Sequence, residues 1–248
     1  YWNRRTRRFR KSKECMEVDY SKIKVIGFDA DDTLWVNETY FRDTEAKFAQ
    51  MLSKYETPNA VDQELFKMEM KNLPIYGYGI KGFMLSMVES AIELSGGRVN
   101  PEEINQIIRW GKEMLDHPVE LLAGIPEALK ALSGSYRLIV LTKGDLLDQE
   151  RKIEKSGLGT YFHHVEVLSD KKPSNYLELL THLNIPPQEF LMIGNSLKSD
   201  VLPLIEIGAQ AVHVPFHTTW AHEQITTDKT SDFLTLNHIN ELLPYLKK

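Results

Sequence analysis

At 248 residues, with 42% hydrophobic and 26% charged side chains, the chain can bury one large core or a core with a smaller insert; a disulfide-framed mini-protein, wholesale disorder and a collagen-like repeat are excluded. The formal net charge of −5 is uneven, because residues 1–20 hold seven basic and three acidic side chains and leave the rest of the chain at −9. That acidic body argues against a general nucleic-acid surface outside the basic arm, and the single cysteine, Cys15, allows neither an internal disulfide nor a cysteine-based zinc cluster.

Residues 1–20 read as a solvated, flexible basic tail. No run of about 18 apolar residues follows and no secretory apolar core is present, so membrane association is not expected and a cytoplasmic location is. Ile23 to Phe28 is a short apolar run rich in branched residues, the signature of a buried strand. Roughly residues 36–117 then form a gap too long for one crossover helix. Within it Thr39 to Glu56, Val61 to Asn72, Ile80 to Leu94 and Pro101 to His117 carry apolar residues at three- and four-residue spacing, so four helices are predicted. Asn100-Pro101-Glu102-Glu103 supplies a capping residue, a proline at the first helical position and acids in the first turn. Met51, Met68, Met70, Met84 and Met87 in this segment read as core filling.

Beyond it, Arg137 to Leu141, His164 to Leu168, Phe190 to Ile193 and Ala209 to Val214 read as further buried strands, and Leu146 to Ser156, Ser174 to Leu183 and Ser199 to Ile207 as the helices between them. That alternation predicts an α/β fold with a parallel sheet and helices on its faces. The expected organisation is a tail at 1–20, a core built from 21–36 and 118–248, and a helical insert at 37–117.

Ligands of open parallel sheets bind beyond the carboxyl ends of the strands. The first strand is followed by Asp29-Ala30-Asp31-Asp32-Thr33, the second by Thr142-Lys143-Gly144-Asp145, the third by Ser169-Asp170-Lys171-Lys172-Pro173 and the fourth by Gly194-Asn195-Ser196-Leu197-Lys198-Ser199-Asp200. Singly, these are ordinary turn and cap residues; their joint order carries the signal.

In that order the chain resembles the haloacid dehalogenase-like hydrolase superfamily: an Asp-x-Asp-x-Thr turn at Asp29, Asp31 and Thr33, a strand-terminal Thr142, a Lys-Pro at Lys172 and Pro173, and an acidic loop from Gly194 to Asp200. The likeness covers about residues 21–248. The helical insert after the first motif is similar to the C1 cap of the branch that includes phosphoglycolate and flavin mononucleotide phosphatases, which implies a Rossmann-like core under a cap domain.

The resemblance implies a magnesium-dependent phosphatase acting on a small-molecule phosphomonoester through an aspartyl-phosphate. An aspartate with an ordinary pKa of about 3.9 is ionised at neutral pH, so Asp29 is the expected nucleophile, and Asp31 the acid and then the base. Lys172 is expected to balance charge beside Asp29, and Thr142, Lys143, Gly144 and Lys172 to bind the phosphate. Hard oxygen donors from Asp29, the Asp31 backbone, Asn195 and Asp200 suit Mg2+. Many relatives have Gly-Asp where this chain has Gly194-Asn195; the lost charge predicts weaker magnesium binding and leaves Asn195 or Asp200 as the direct ligand.

A dehalogenase would use Asp29 without Asp31 or a metal. A phosphonate hydrolase would need a cap lysine such as Lys81. A phosphosugar mutase shares both aspartates. A non-catalytic module binding nucleic acid through the basic tail is the alternative of a different class. Gly77 to Gly82 matches G-x-G-x-x-G but follows a helical stretch instead of a strand, so it reads as an inter-helix turn near the site. His217 and His222, two histidines without a third partner at usable spacing, read as loop residues.

Overall fold

The computed structural model describes residues 20–226 and 232–246. The basic arm with Cys15, read as a flexible tail, lies outside the described residues. A six-stranded, wholly parallel sheet runs in the order β3-β2-β1-β4-β5-β6. Its strands are β1 (Val25–Phe28), β2 (Arg137–Lys143), β3 (His164–Leu168), β4 (Phe190–Gly194), β5 (Gln210–His213) and β6 (Leu234–Thr235). The five expected strands are present; the sixth, two residues long, gave no apolar run to read.

The three central strands are buried on both faces, which is why they are continuously apolar instead of alternating. Ile26, Phe28, Leu138, Val140, Leu191 and Ile193 point into one core layer, while Val25, Ile139, Leu141, Phe190 and Met192 point into the other. The first layer packs on α5 (Ile125–Leu132) and α9 (Leu243–Leu246), the second on α7 (Pro173–His182) and α8 (Leu202–Glu206). α6 (Leu146–Ser156) follows β2. At Gly27 an added Cβ would lie 2.5 Å from the Phe190 ring, so the second layer closes only over a glycine.

Register positions the strand ends. Phe28 pairs with Val140 on one side and Ile193 on the other, so the residues that follow all three strands emerge at one level. From β1 the chain adds β2 and β3 on one side and then β4, β5 and β6 on the other, and this reversal is the switch point at which open α/β sheets form a crevice.

Over this edge sit α1 (Glu38–Leu52), α2 (Pro58–Tyr76), α3 (Ile80–Leu94) and α4 (Pro101–Asp116), packed around their own cluster of Phe48, Leu52, Leu65, Phe83, Met87 and Ile107. Met68 and Met87 are buried, in keeping with core filling. The reciprocal hydrogen bonds of Asn100 and Glu103 start α4, as the sequence predicts. The chain leaves and re-enters the sheet side by side: Val36 N–H donates to Glu120 O at 2.9 Å and Leu122 N–H to Leu34 O at 3.0 Å.

Candidate active site

β1 carries Asp29 to the centre of the crevice, where its N–H donates to Ile193 O at 2.9 Å. The Asp29 carboxylate is buried; Oδ1 accepts from Lys171 Nζ at 2.5 Å and Oδ2 from the Thr33 hydroxyl at 3.0 Å. Lys171 Nζ also donates to Asp200 Oδ1 at 2.7 Å, and the Lys171 side chain is 1% exposed. Two carboxylates thus share one ammonium group out of water. Burial pushes Asp29 up to about 7, with Lys171 opposing that and Asp200 adding to it. Lys171 is held well above its ordinary value: its two carboxylate partners outweigh burial, which acts the other way.

The lysine at the site is therefore not Lys172. That residue precedes Pro173, takes the extended backbone this imposes (φ −93°, ψ 162°) and stands at the entry of α7 with a side chain 70% exposed, paired to Asp170 at 2.8 Å. The place expected for it beside Asp29 is taken by Lys171, whose side chain points the opposite way along the extended strand-to-helix turn.

Asp31 is fixed by three donors. Trp35 Nε1 (2.8 Å) and Lys152 Nζ (2.9 Å) donate to Oδ1, and Gln149 Nε2 (2.8 Å) to Oδ2. Gln149 and Lys152, three apart on α6, reach the first motif from over a hundred residues away in sequence; their i, i+3 spacing on one helix face was the only sequence signal for them.

Asp200 sits on a π-helical turn, Leu197–Val201, that leads into α8; Ser199 to Ile207 was expected as one helix. Its Oδ2 accepts from Ser196 N–H at 2.9 Å, and its carboxyl lies so close over Gly194 that an added Cβ there would be 2.3 Å from Asp200 Cγ. Asn195 Oδ1 lies 3.3 Å from the Thr33 hydroxyl that also bonds Asp29, so an amide oxygen and a carboxylate oxygen converge on one point.

Thr142 is buried at the end of β2, and Gly144 follows with φ 130°. Lys143 Nζ donates to Glu223 Oε1 at 2.7 Å and Ser199 Oγ at 3.0 Å and lies 4.1 Å above the Tyr78 ring. Burial acts to raise Glu223, but Lys143 and the Ser196 and Ser199 hydroxyls hold it down at about 2. Glu223, in the loop beyond β5, carried no motif. The Gly77 to Gly82 segment joins α2 to α3, with Gly77 and Gly79 at φ 72° and 109°, and reaches the sheet edge: Lys81 pairs with Asp145 at 2.9 Å. Among the described residues no three His, Cys, Asp or Glu side chains are grouped to hold a metal, and His217 and His222 stack on Phe216 and Trp220.

Asp29, Asp31, Thr142, Lys143, Lys171, Asn195 and Asp200 line one cavity of about 170 Å³ between sheet edge and helical insert. An α/β switch-point crevice that presents a buried aspartate on an ammonium group, under a four-helix cap, defines a class. The chain belongs to that class, the haloacid dehalogenase-like hydrolases, whose family model matches residues 23–208. It is an enzyme of the hydrolase kind. It is similar to a haloacid dehalogenase-like family hydrolase of known crystal structure from Xanthomonas campestris, at 42% identity over 84% of this chain and 87% of that one, with a TM-score of 0.76. It is also similar to the N-acylneuraminate-9-phosphatase of Homo sapiens, 27% identical over 77% of this chain and 82% of the relative. The glyceraldehyde 3-phosphate phosphatase of Pyrococcus abyssi is 26% identical over 77% of this chain and 80% of its own length.

Proposed function

We propose that the protein is a magnesium-dependent phosphatase that hydrolyses a small-molecule phosphomonoester through an aspartyl-phosphate on Asp29. The observation that carries this is the buried Asp29–Lys171–Asp200 triad with Asp31 two residues on, at the sheet's switch point. Asp29 attacks phosphorus; a P–O bond to Asp29 forms as the bond to the alcohol breaks. Asp31 is the residue that hands a proton to the departing oxygen, then takes one from the water that attacks the aspartyl-phosphate and frees inorganic phosphate. Trp35, Gln149 and Lys152 act on the carboxyl of Asp31 as positioning residues. Lys171 and the Thr142 and Gly144 loop stabilise the equatorial phosphate oxygens, while Lys143, engaged with Glu223 and Ser199, stands beside them.

The donor set fits a hard divalent cation. Asp29 Oδ2 and Asn195 Oδ1 both lie within hydrogen-bond reach of the Thr33 hydroxyl, and with the Asp31 backbone carbonyl they would offer the ion an all-oxygen set. Asp200 accepts from Lys171 and from Ser196 N–H, the contacts of a residue that orients Lys171 and the loop, while Asn195 Oδ1, beside the Thr33 hydroxyl that bonds Asp29, is the direct ligand of this reading. Bound magnesium would neutralise phosphate charge and polarise the phosphoryl oxygens.

Two relatives named for phosphatase activity on small phosphate esters support the reaction class. Asp31 and its three donors favour phosphate-ester chemistry over dehalogenation, which needs no second aspartate. Release of inorganic phosphate across a metabolite panel, with and without magnesium and with Asp29→Asn as control, tests the reading. Metal-dependent release lost in the variant is expected; metal-independent release, or transfer of the phosphoryl group to a sugar hydroxyl in place of water, overturns it.

A further inference from the structure

One carboxylate on the cavity wall takes no part in the chemistry above. Glu223 sits in the turn Ala221–Glu223 of the loop beyond β5, with a side chain 12% exposed. Its Oε1 accepts from Lys143 Nζ at 2.7 Å, and its Oε2 accepts from the Ser196 and Ser199 hydroxyls, each at 2.6 Å. Lys143 Nζ also donates to Ser199 Oγ at 3.0 Å, so lysine, serine and carboxylate close a ring. The turn is itself tied down nearby, because Lys198 Nζ donates to His222 O at 2.7 Å.

The directions of these bonds call for a group that only accepts. The Ser199 hydroxyl gives its one proton to Glu223 and accepts from Lys143; the Ser196 hydroxyl gives its proton to Glu223 and accepts from Ser199 N–H at 3.0 Å. An ionised carboxylate takes all three donors, whereas an amide brings one acceptor and two N–H groups and cannot serve both ends of the ring. Against burial, Lys143 and the two hydroxyls hold Glu223 at about 2, so it is ionised throughout the neutral range.

Lys143 ends β2, while Ser196 and Ser199 belong to the loop after β4 that also holds Asn195 and Asp200. β1 lies between those two strands, so no ladder hydrogen bond joins their ends. Glu223 makes that link from a third element, across the strand that delivers Asp29. It leaves the Lys143 ammonium fixed on the cavity wall, 4.1 Å above the Tyr78 ring of the cap. A lysine usually gives up rotamer freedom when it meets a ligand, and here that freedom is already spent in the fold.

We infer that Glu223 is a positioning residue for phosphate binding: it holds the Lys143 ammonium ready for the phosphate dianion and locks it to the loop after β4. This rests on the phosphatase reading above and adds to it a residue that lies outside all four motifs. The role has a definite sign. Removing a negative charge from the cavity would, by electrostatics alone, tighten the binding of a dianion; releasing Lys143 from its fixed place weakens it.

Calorimetry of inorganic phosphate with the full-length protein, at neutral pH and saturating magnesium, reads affinity and number of sites separately. In Glu223→Gln the affinity should fall about fivefold or more with the number of sites kept. In a Lys143→Met background the same substitution should change affinity by less than about twofold, since the lysine it holds is gone. Unchanged or tighter binding in Glu223→Gln overturns the inference, as does a loss confined to the number of sites, which is what a merely structural role would give, or an equal loss of affinity in the Lys143→Met background. Should Glu223→Gln not fold, Ser199→Ala opens the ring without altering charge and should weaken phosphate binding about twofold or more; unchanged affinity there overturns it. Failure of the phosphatase reading registers separately, as absence of phosphate release from any ester by the unaltered enzyme.

Discussion

Lys171 and Lys172 are chemically identical neighbours with opposite fates, and the difference is worth several kcal/mol. Replacing Lys171 by Met leaves Asp29 and Asp200 buried without their shared cation, so Lys171→Met should lose about 3–5 kcal/mol of stability and more than about a hundredfold in phosphate release. Lys172→Met removes an exposed pair with Asp170 and should change stability by less than about 1 kcal/mol with turnover retained. Urea melts and a phosphate assay on the two variants check this; equal effects would contradict it. Asn195→Asp restores a charge where an amide oxygen now faces Thr33, so half-saturation by magnesium should fall several-fold. No change would count against Asn195 as a direct ligand. The sequence could not separate the two lysines: a lysine before a proline is what the family pattern asks for, and only the extended entry into α7 decides which of two adjacent side chains turns inward.

At the scale of elements, the strand ends do the assembling. The order of the apolar runs, with a polar cluster after each, was enough to place Asp29, Thr142 and Asn195 on one edge, because a parallel sheet brings all carboxyl ends to one side. What the sequence could not show came from pairs distant in the chain: Lys143 with Glu223, Gln149 and Lys152 with Asp31, Tyr78 over Lys143. No local periodicity encodes such meetings. The end of β4 illustrates a tighter constraint. Gly194 admits Asp200 against the backbone, and Gly194→Ala should displace that carboxyl, cost about 1–3 kcal/mol and weaken the hold on Lys171, so that thermal stability and turnover fall together. Full activity in this variant would mean that the contact is not needed.

For the molecule as a whole, the acids trapped between cap and sheet give stability a definite pH slope. Burial pushes Glu69 and Asp32 up to about 8 and Glu38 up to about 7. Each binds its proton more tightly in the folded chain than in the unfolded one. Their contribution is therefore full below about 4.5 and is lost as pH climbs through 7 to 8. Glu223, held at about 2, acts in the opposite sense but only below about 4.5, outside that window. Thermal midpoints without ligand should fall between about pH 5 and pH 8, and Glu69→Gln should flatten part of that fall; a slope equal in the variant would show that Glu69 is ionised alike in both states.

The expectations for turnover rest on the proposed covalent bond at the tip of β1. Acid-quenching the enzyme during turnover of a phosphate ester, followed by mass spectrometry of its peptides, locates that bond directly. The phosphoryl group should be found on the peptide holding Asp29, with neither adduct nor phosphate release in Asp29→Asn. A phosphoryl group on another residue, or turnover that survives in Asp29→Asn, would contradict the account.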